Sequence, residues 1–350
     1  MLAELVDAVV GVDTHRDTHQ VEIALPNGAP IAVTTISNDT TGYAELLAWI
    51  VDHAPGPRLA VSIEGTRSYG IGLARAAAAS GMVVLECEQP HRKTRRGKGK
   101  SDPIDAHLAV LAALRLDADR LPTSRADGDR EALRILLTAR QELTTSSTAQ
   151  TNRLRALLLA GDDTDRQLAR GRLCEATLSG LARRRPPREA SREQAVRHAE
   201  IRRLTLALRE AARQLKANRA QLQTIVNDLV PGLTDRRGIG PVSAAQAIVA
   251  FSHPGRCRND AAFASLACTC PIPASSGQTV RHRLNRAIHT IATVRLRDCP
   301  ATQAYIARRT AEGKTIREIK RCRKRYIARQ LYRTLTVTMT PTTTNNPAVA

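Results

Sequence analysis

Four acidic residues have the types and spacing that metal-assisted phosphoryl chemistry needs. Asp13 closes one apolar run, Glu64 closes another, and Asp102 and Asp105 stand three apart at what reads as the start of a helix. Two divalent cations about 4 Å apart need bridging and flanking carboxylates, because hard oxygen donors hold hard cations; such a pair activates a water or hydroxyl and stabilises the oxygen leaving phosphorus. The cofactor this set implies is Mg2+ or Mn2+. Each acid alone has an ordinary explanation, since an Asp at a helix start answers the helix dipole and a Glu at a strand end is simply solvated. His15, Asp17 and His19 are rival ligands, but an alternating polar hairpin places such residues on its wet face. Cys257, Cys268 and Cys270 lack tetrahedral zinc spacing and read as small apolar thiols. Ser275 and Ser276 are adjacent hydroxyls in the loop Pro271 to Gly277, and on residue types alone they shape a turn.

The elements that must position these residues follow from periodicity. Val9-Val10-Gly11-Val12 and Val21-Glu22-Ile23-Ala24-Leu25 flank a polar stretch and read as a strand pair. Pro26-Asn27-Gly28 supplies a turn and Ile31 to Ile36 a third, β-branched strand. Asn38-Asp39-Thr40 caps a helix carrying Tyr43, Leu46, Leu47 and Ile50 on one side. Leu59 to Gly65 is then a buried strand, Tyr69 to Ser80 an Ala-rich helix, and Met82 to Glu86 another strand. Three antiparallel strands followed by α/β alternation is an RNase H-like order. Ser101-Asp102-Pro103 starts the next helix, with Ser101 as N-cap and Ile104, Leu108, Leu111 and Leu114 along the expected apolar face.

Beyond this α/β region, expected over 8–125, the stretch 129–229 is helix-rich. Ile201, Leu208, Leu215, Leu222 and Leu229 recur every seven residues, with Leu204, Ala211, Asn218 and Ile225 interleaved. That stripe fits either an intramolecular antiparallel helix pair or a dimerising coiled coil in which Asn218 fixes register. A mainly α C-terminal domain is expected over 231–335. It opens on Arg237-Gly238-Ile239-Gly240-Pro241, which is either a helix-hairpin-helix turn with backbone N–H groups free for a phosphate or a plain inter-helix turn. Basic helices are expected from Arg281 to Arg297 and from Thr315 to Leu335, and a Thr/Asn/Pro-rich disordered tail over 338–350.

Composition narrows the partner. Of 350 residues, 53 are Lys or Arg against 33 Asp or Glu, a net charge of +20 that favours a polyanion over a small acidic metabolite. Aromatics are 2%, too few for a single-strand module built on stacking rings. The segment His91 to Lys100 holds Arg92, Lys93, Arg95, Arg96, Lys98 and Lys100 with two glycines, a basic loop suited to phosphates rather than base edges. The apolar runs are too short to span a membrane, and the N-terminus lacks a leader pattern. Seven cysteines without a C-x-x-C pair suggest free thiols, so a cytoplasmic, nucleoid-associated protein is expected.

Several segments, in order, resemble one family. Gly11-Val12-Asp13-Thr14-His15-Arg16-Asp17, Ile63-Glu64-Gly65-Thr66, Lys100-Ser101-Asp102-Pro103-Ile104-Asp105-Ala106, Gly238-Ile239-Gly240-Pro241, and Pro273-Ala274-Ser275-Ser276-Gly277 with Tyr305-Ile306-Ala307-Arg308-Arg309 are similar to the insertion sequence 110 family of DEDD transposases. The resemblance implies an N-terminal RuvC-like domain of RNase H fold whose metal-binding tetrad is Asp13, Glu64, Asp102 and Asp105. It implies a C-terminal transposase domain whose serine nucleophile is Ser276, forming a phosphoserine–DNA intermediate completed by the tetrad of another protomer in a dimer or tetramer. It further implies donor and target DNA as partners and a structured non-coding guide RNA, with phosphates contacted by the basic loop, Gly238, Gly240, Arg281 and Arg283. The sequence departs from the family where Arg283-Leu284-Asn285-Arg286 runs straight into Ala287-Ile288-His289, about one glycine-bearing segment short. Two rival readings are a Holliday-junction-type endonuclease that uses the metal site and water alone, and a decayed, non-catalytic nucleic-acid-binding copy.

Overall fold

A strand that is apolar at every position has to be covered on both faces, and the run from Ala8 to Val12 becomes the centre of the sheet for that reason. In the computed structural model, which describes residues 1–87, 102–118, 121–122, 128–186, 188–269 and 279–340 and only the backbone of 102–104 and 279–282, this run is β1 (Ala8–Thr14). β2 (Thr18–Ala24) and β3 (Pro30–Ser37) follow antiparallel to their predecessors. After α1 (Thr40–His53), whose N-cap Asp39 accepts the Gly42 N–H at 2.9 Å, β4 (Leu59–Glu64) returns parallel to β1. α2 (Ile71–Ala79) leads to β5 (Val83–Cys87), parallel to β4, and the sheet order is β3-β2-β1-β4-β5. The expected three antiparallel strands followed by α/β alternation is this mixed sheet.

Alternation along the strands assigns each face its own helices. Val10, Val12, Val21, Ile23, Val61 and Ile63 pack under α1 and α2, against Leu46, Ile50, Leu73 and Ala77. Val9, Ala24, Ala60 and Leu85 face α3 (Asp102–Leu114), against Val110, Ala113 and Leu114. The face of α3 departs from expectation. Its buried residues include Ala106, Ala109, Val110 and Ala113, while Leu108 and Leu111 are only part-buried. The cause is Gly11: a Cβ built there would lie 2.3 Å from the Ala106 carbonyl oxygen and 2.6 Å from Val110 Cγ2. The helix comes so close to β1 at this point that only smaller residues fit between them, and Leu108 and Leu111 are turned aside while Leu114, two turns on, is buried.

Contacts divide the chain into two units, Met1–Ala132 with Ala247–Ala350, and Leu133–Gln246. The second is built from most of α4 (Gly128–Leu159), then α5 (Asp163–Arg170), α6 (Glu175–Arg183) and α7 (Arg192–Leu229). Ile201, Leu204 and Leu208 are buried with Leu154, Leu158, Leu178 and Leu181, so over this half the seven-residue stripe is covered by the chain's own helices. Asn218 also has an internal partner: its amide donates to the Leu136 carbonyl at 2.9 Å, and Arg140 Nη1 donates to the Leu215 carbonyl at 3.1 Å beside it. Burial, with Arg219 nearby, lowers the pKa of Arg140.

α8 (Pro241–Phe251) leads into the C-terminal part of the first unit, where α9 (Asp260–Leu266), α10 (Thr279–Asp298), α11 (Pro300–Ala311) and α12 (Ile316–Met339) follow. Phe251, Phe263 and Tyr332 form one aromatic cluster with ring centroids 5.8 to 6.2 Å apart, and the Tyr332 hydroxyl donates to the Cys257 carbonyl at 2.9 Å. Thr315 and Glu318 close a capping box on α12, which runs through Met339, two residues into the stretch expected to lack structure. Such a box satisfies two N-terminal donors reciprocally and makes the start of this cation-rich helix well defined. Among the described residues no helix is long and apolar enough to cross a membrane.

The Gly11 contact makes a direct prediction. Gly11→Ala should lower unfolding stability in urea by about 1–3 kcal/mol through overpacking against α3. Gly180→Ala, on α6 where an added Cβ meets open space, should be neutral or stabilising by up to about 1 kcal/mol. Equal effects of the two would show that the close approach does not exist.

Candidate active site

The site is built from the ends of two parallel strands and the first turn of one helix. Gly11 and Asp13 alternate onto the α3 face of β1, as Ser62 and Glu64 do on β4. The Gly11–Ala106 contact brings the backbone of α3 onto β1 one residue after Asp105. Two further ties fix the helix in position. The buried Ser62 hydroxyl donates to the Ala109 carbonyl at 2.9 Å, and His107 Nδ1 lies 2.6 Å from Oε1 of the buried Glu22 on β2. A third bond joins the strand ends: Thr14 Oγ1 donates to the Glu64 carbonyl at 2.8 Å. Thus Asp13, Glu64 and the first turn of α3 are held at one end of the sheet by contacts that do not use the acids' carboxylates.

Asp13 is buried, with its Oδ2 3.2 Å from Nε2 of the half-exposed His15. Glu64 and Asp105 are partly exposed, and the Asp102 side chain lies outside the described residues. Among the described residues no three His, Cys, Asp or Glu side chains gather closely enough to hold a metal ion. Like charges repel, and what draws carboxylates into one coordination sphere is the cation between them. The donor set is nevertheless hard oxygen throughout, the kind that suits Mg2+ or Mn2+.

The turn between β1 and β2 is shorter than its polar sequence suggested. Asp17 is exposed and paired with Arg16, and His15 is half-exposed, as a wet hairpin face requires. His19 is the correction: it lies within β2, fully buried, with Nδ1 3.0 Å from the Thr18 carbonyl and its ring stacked 6.2 Å from Tyr43. An apolar environment disfavours the charged imidazole, and burial holds its pKa below the ordinary value.

The basic loop with Arg92, Lys93, Arg95, Arg96, Lys98 and Lys100, the N-cap Ser101, and Ser275 and Ser276 all lie outside the described residues, as does the Arg281 side chain. Arg283 is exposed on α10. Gly238 has φ +83°, a conformation that glycine adopts without strain, whereas a Cβ on Gly240 would meet open space. Asn285, on α10, has defined partners. Its Nδ2 donates to the carbonyls of Ala267 at 2.8 Å and Cys268 at 3.0 Å, and its Oδ1 accepts from Lys324 Nζ at 2.6 Å. Burial lowers the Lys324 pKa. Sequence reading missed Glu22, Ser62, His107, Asn285 and Lys324. Only Glu22 carried a signal, as a carboxylate on a strand between Val21 and Ile23.

Comparison with protein families gives two matches. A DEDD family model described as a transposase matches residues 10–160. A model described as transposase IS116/IS110/IS902 family matches residues 232–307. A comparison with curated proteins found no match.

Two outcomes follow from the packing around the acids. His107→Ala leaves the buried Glu22 carboxylate without its ring partner and should cost about 1–3 kcal/mol in urea unfolding. For His19, the native ring stays neutral while the unfolded chain takes up a proton below about pH 6.5, so stability falls as pH drops through that value. The urea midpoint of the wild type should therefore drop more between about pH 7.5 and 5.5 than that of His19→Gln. Equal drops would remove His19 from the pH dependence.

Proposed function

Because the chain belongs to the insertion sequence 110 family of transposases, we propose that it cuts and rejoins donor and target DNA through a metal-bound tetrad and a serine nucleophile, guided by a non-coding RNA of the element. The N-terminal sheet is read as an RNase H-like, RuvC-like domain on its strand order, β3-β2-β1-β4-β5 with β1 antiparallel to β2 and parallel to β4. The single observation that carries the catalytic reading is the Gly11–Ala106 contact, which brings Asp105 on α3 to the end of the sheet where Asp13 and Glu64 lie.

Asp13, Glu64, Asp102 and Asp105 would hold Mg2+ or Mn2+. When bound, the ions activate an oxygen nucleophile and neutralise charge building at phosphorus. The chain's own groups do the remaining work. The buried Asp13 offers an anchored carboxylate, which His15 orients from 3.2 Å. The Thr14–Glu64 bond keeps the second strand end in register with the first. Ser276 Oγ forms a bond to phosphorus as the P–O bond to the leaving strand breaks, and its proton passes to solvent or a nearby base; rejoining runs the same step with a new strand. In a dimer or tetramer the serine of one protomer would work with the tetrad of another. Arg92 to Lys100, Gly238, Gly240, Arg281 and Arg283 are assigned to phosphates of DNA or of an RNA–DNA heteroduplex, in keeping with the net charge of +20.

The test uses labelled donor and target DNA with the RNA transcribed beside the gene, followed by denaturing electrophoresis. A covalent protein–DNA band should form with the wild type and with Ser275→Ala and vanish with Ser276→Ala. Asp13→Asn and Asp102→Asn should abolish strand exchange while nucleic-acid binding persists. Free cleaved ends without an adduct would replace the serine by water, as in a Holliday-junction-type nuclease, and exchange by Asp13→Asn at the wild-type rate would refute the metal site.

A further inference from the structure

A cavity of about 260 Å³ lies on the α3 face of the sheet, walled by β4 and β5, by the second half of α3 and by the loop that follows α8. Ala112, Leu116 and Pro122 contribute apolar wall, and Cys87, His253 and Arg256 contribute polar atoms. All of these residues belong to the same unit of the chain. The cavity is smaller than the roughly 300–1,000 Å³ that accommodates a drug-sized ligand, so it suits a single building block and not a folded segment.

Its place in the fold ties it to the carboxylates. Cys87 is the register partner of Glu64 across β4 and β5, and neighbouring strands lie about 4.8 Å apart. Leu85 packs against α3, so alternation turns Cys87, two positions on, to the same face, the one Glu64 shares with Ser62. The cavity therefore begins one strand away from Glu64. The loop that walls it is firmly held. Ser252 is buried at φ +70°, a left-handed conformation that is costly for a residue other than glycine and persists where the surroundings over-determine it. Its N–H donates to the Ile248 carbonyl at 2.8 Å, its Oγ lies 3.1 Å from His253 Nδ1, and Arg256 Nη1 donates to the Ala250 carbonyl at 2.7 Å. The last turn of α8 thus fixes the imidazole and the guanidinium that line the cavity.

Cutting and rejoining a strand requires the nucleotides beside the cut to stay in place while the phosphodiester link is open. A nucleotide offers an apolar face of base and sugar and, at its other end, a phosphate. Arginine and histidine match the phosphate, because a guanidinium carries five N–H donors and even a neutral imidazole keeps one. We infer that this cavity holds the nucleotide next to the phosphate being cut, with its base and sugar along Ala112, Leu116 and Pro122 and its own phosphate on Arg256 and His253. These are positioning residues, which hold the strand and take no part in the exchange of bonds. The inference rests on the tetrad reading above, since it is Glu64 that makes this the reacting end of the sheet.

The test is a binding measurement that needs neither metal nor turnover. Deoxynucleoside 5′-monophosphates are titrated against the full-length protein and followed by saturation-transfer difference NMR, with the unphosphorylated nucleosides in parallel. The wild type should take up the monophosphates with transfer to base and sugar protons. The nucleosides should bind roughly 10- to 100-fold more weakly, the range of a charge-assisted hydrogen bond. Arg256→Ala should lose a similar factor and Arg256→Lys should recover part of it. Ala112→Phe, at an exposed position of the cavity wall, should abolish uptake, whereas Arg213→Ala, which removes an exposed cation of α7, should leave it unchanged. A short single-stranded oligonucleotide should displace the monophosphate from the wild type. No uptake by the wild type, or uptake indifferent to Arg256→Ala and Ala112→Phe, would overturn the inference. So would an equal loss in Arg213→Ala, which signals general attraction to the net charge, or a monophosphate that the oligonucleotide cannot displace, which assigns the cavity to free nucleotides. Failure of the tetrad reading appears separately, as strand exchange by Asp13→Asn, and does not affect this readout.

Discussion

The close approach of α3 to β1 at Gly11 is the contact on which the rest of the site depends. Without a side chain at that position, the helix backbone lies against the strand, and the Ala106 carbonyl occupies the space a Cβ would need. Three consequences share this cause. The helix buries Ala106, Ala109, Val110 and Ala113 while Leu108 and Leu111 stay part-buried, the Ser62 hydroxyl reaches the Ala109 carbonyl, and His107 reaches Glu22. Asp105 is carried along with them to the end of the sheet. Packing, not attraction between the acids, sets where α3 lies on the sheet, because like charges oppose their own assembly.

Charge is distributed to match. Acids stand at the end of the sheet in a chain of net charge +20, and cations crowd the C-terminal helices, where Arg283, Arg308, Arg317 and Arg321 are exposed. Some of these helices' cations are committed to structure. Arg333 lies 3.3 Å from Asp260, Arg323 donates to Thr302 at 2.7 Å, and Lys324 is tied to Asn285. Of these, the Arg333–Asp260 pair is an exposed ion pair that contributes little to stability, and the surplus of exposed cations is better understood as attraction for a polyanion, with a strong dependence on salt.

The succession of strands, the capping of α1, and the two basic helices were legible in the sequence because each rests on a local signal: β-branched alternation, an Asp before the first turn, a sustained helical period. The face of α3 was not legible, because the deciding residue, Gly11, lies about ninety positions away and acts by lacking a side chain. His19 was misplaced for a related reason. In a polar run the boundary between turn and strand is set by pairing, here Thr14 with His19, and the strand then takes a histidine into the interior. The stripe on α7 shows a third limit. Heptad spacing specifies an apolar seam but not its partner, and for Ile201 to Leu208 the partner was elsewhere in the same chain. The four acids were legible as residue types; that Glu22, Ser62 and His107 fix the helix beneath them depended on contacts between distant segments.

The central claim is that Asp13, Glu64 and the first turn of α3 surround one cation site. Fe2+ bound in place of Mg2+ generates hydroxyl radicals with ascorbate and peroxide, and these cleave the polypeptide where the ion sits. Fragment ends clustered near Asp13, near Glu64 and between Asp102 and Asp105, suppressed by excess Mg2+ and lost in Asp13→Asn, are the predicted result. Cuts confined to other segments, or a pattern unchanged by Mg2+ and by Asp13→Asn, would contradict the account.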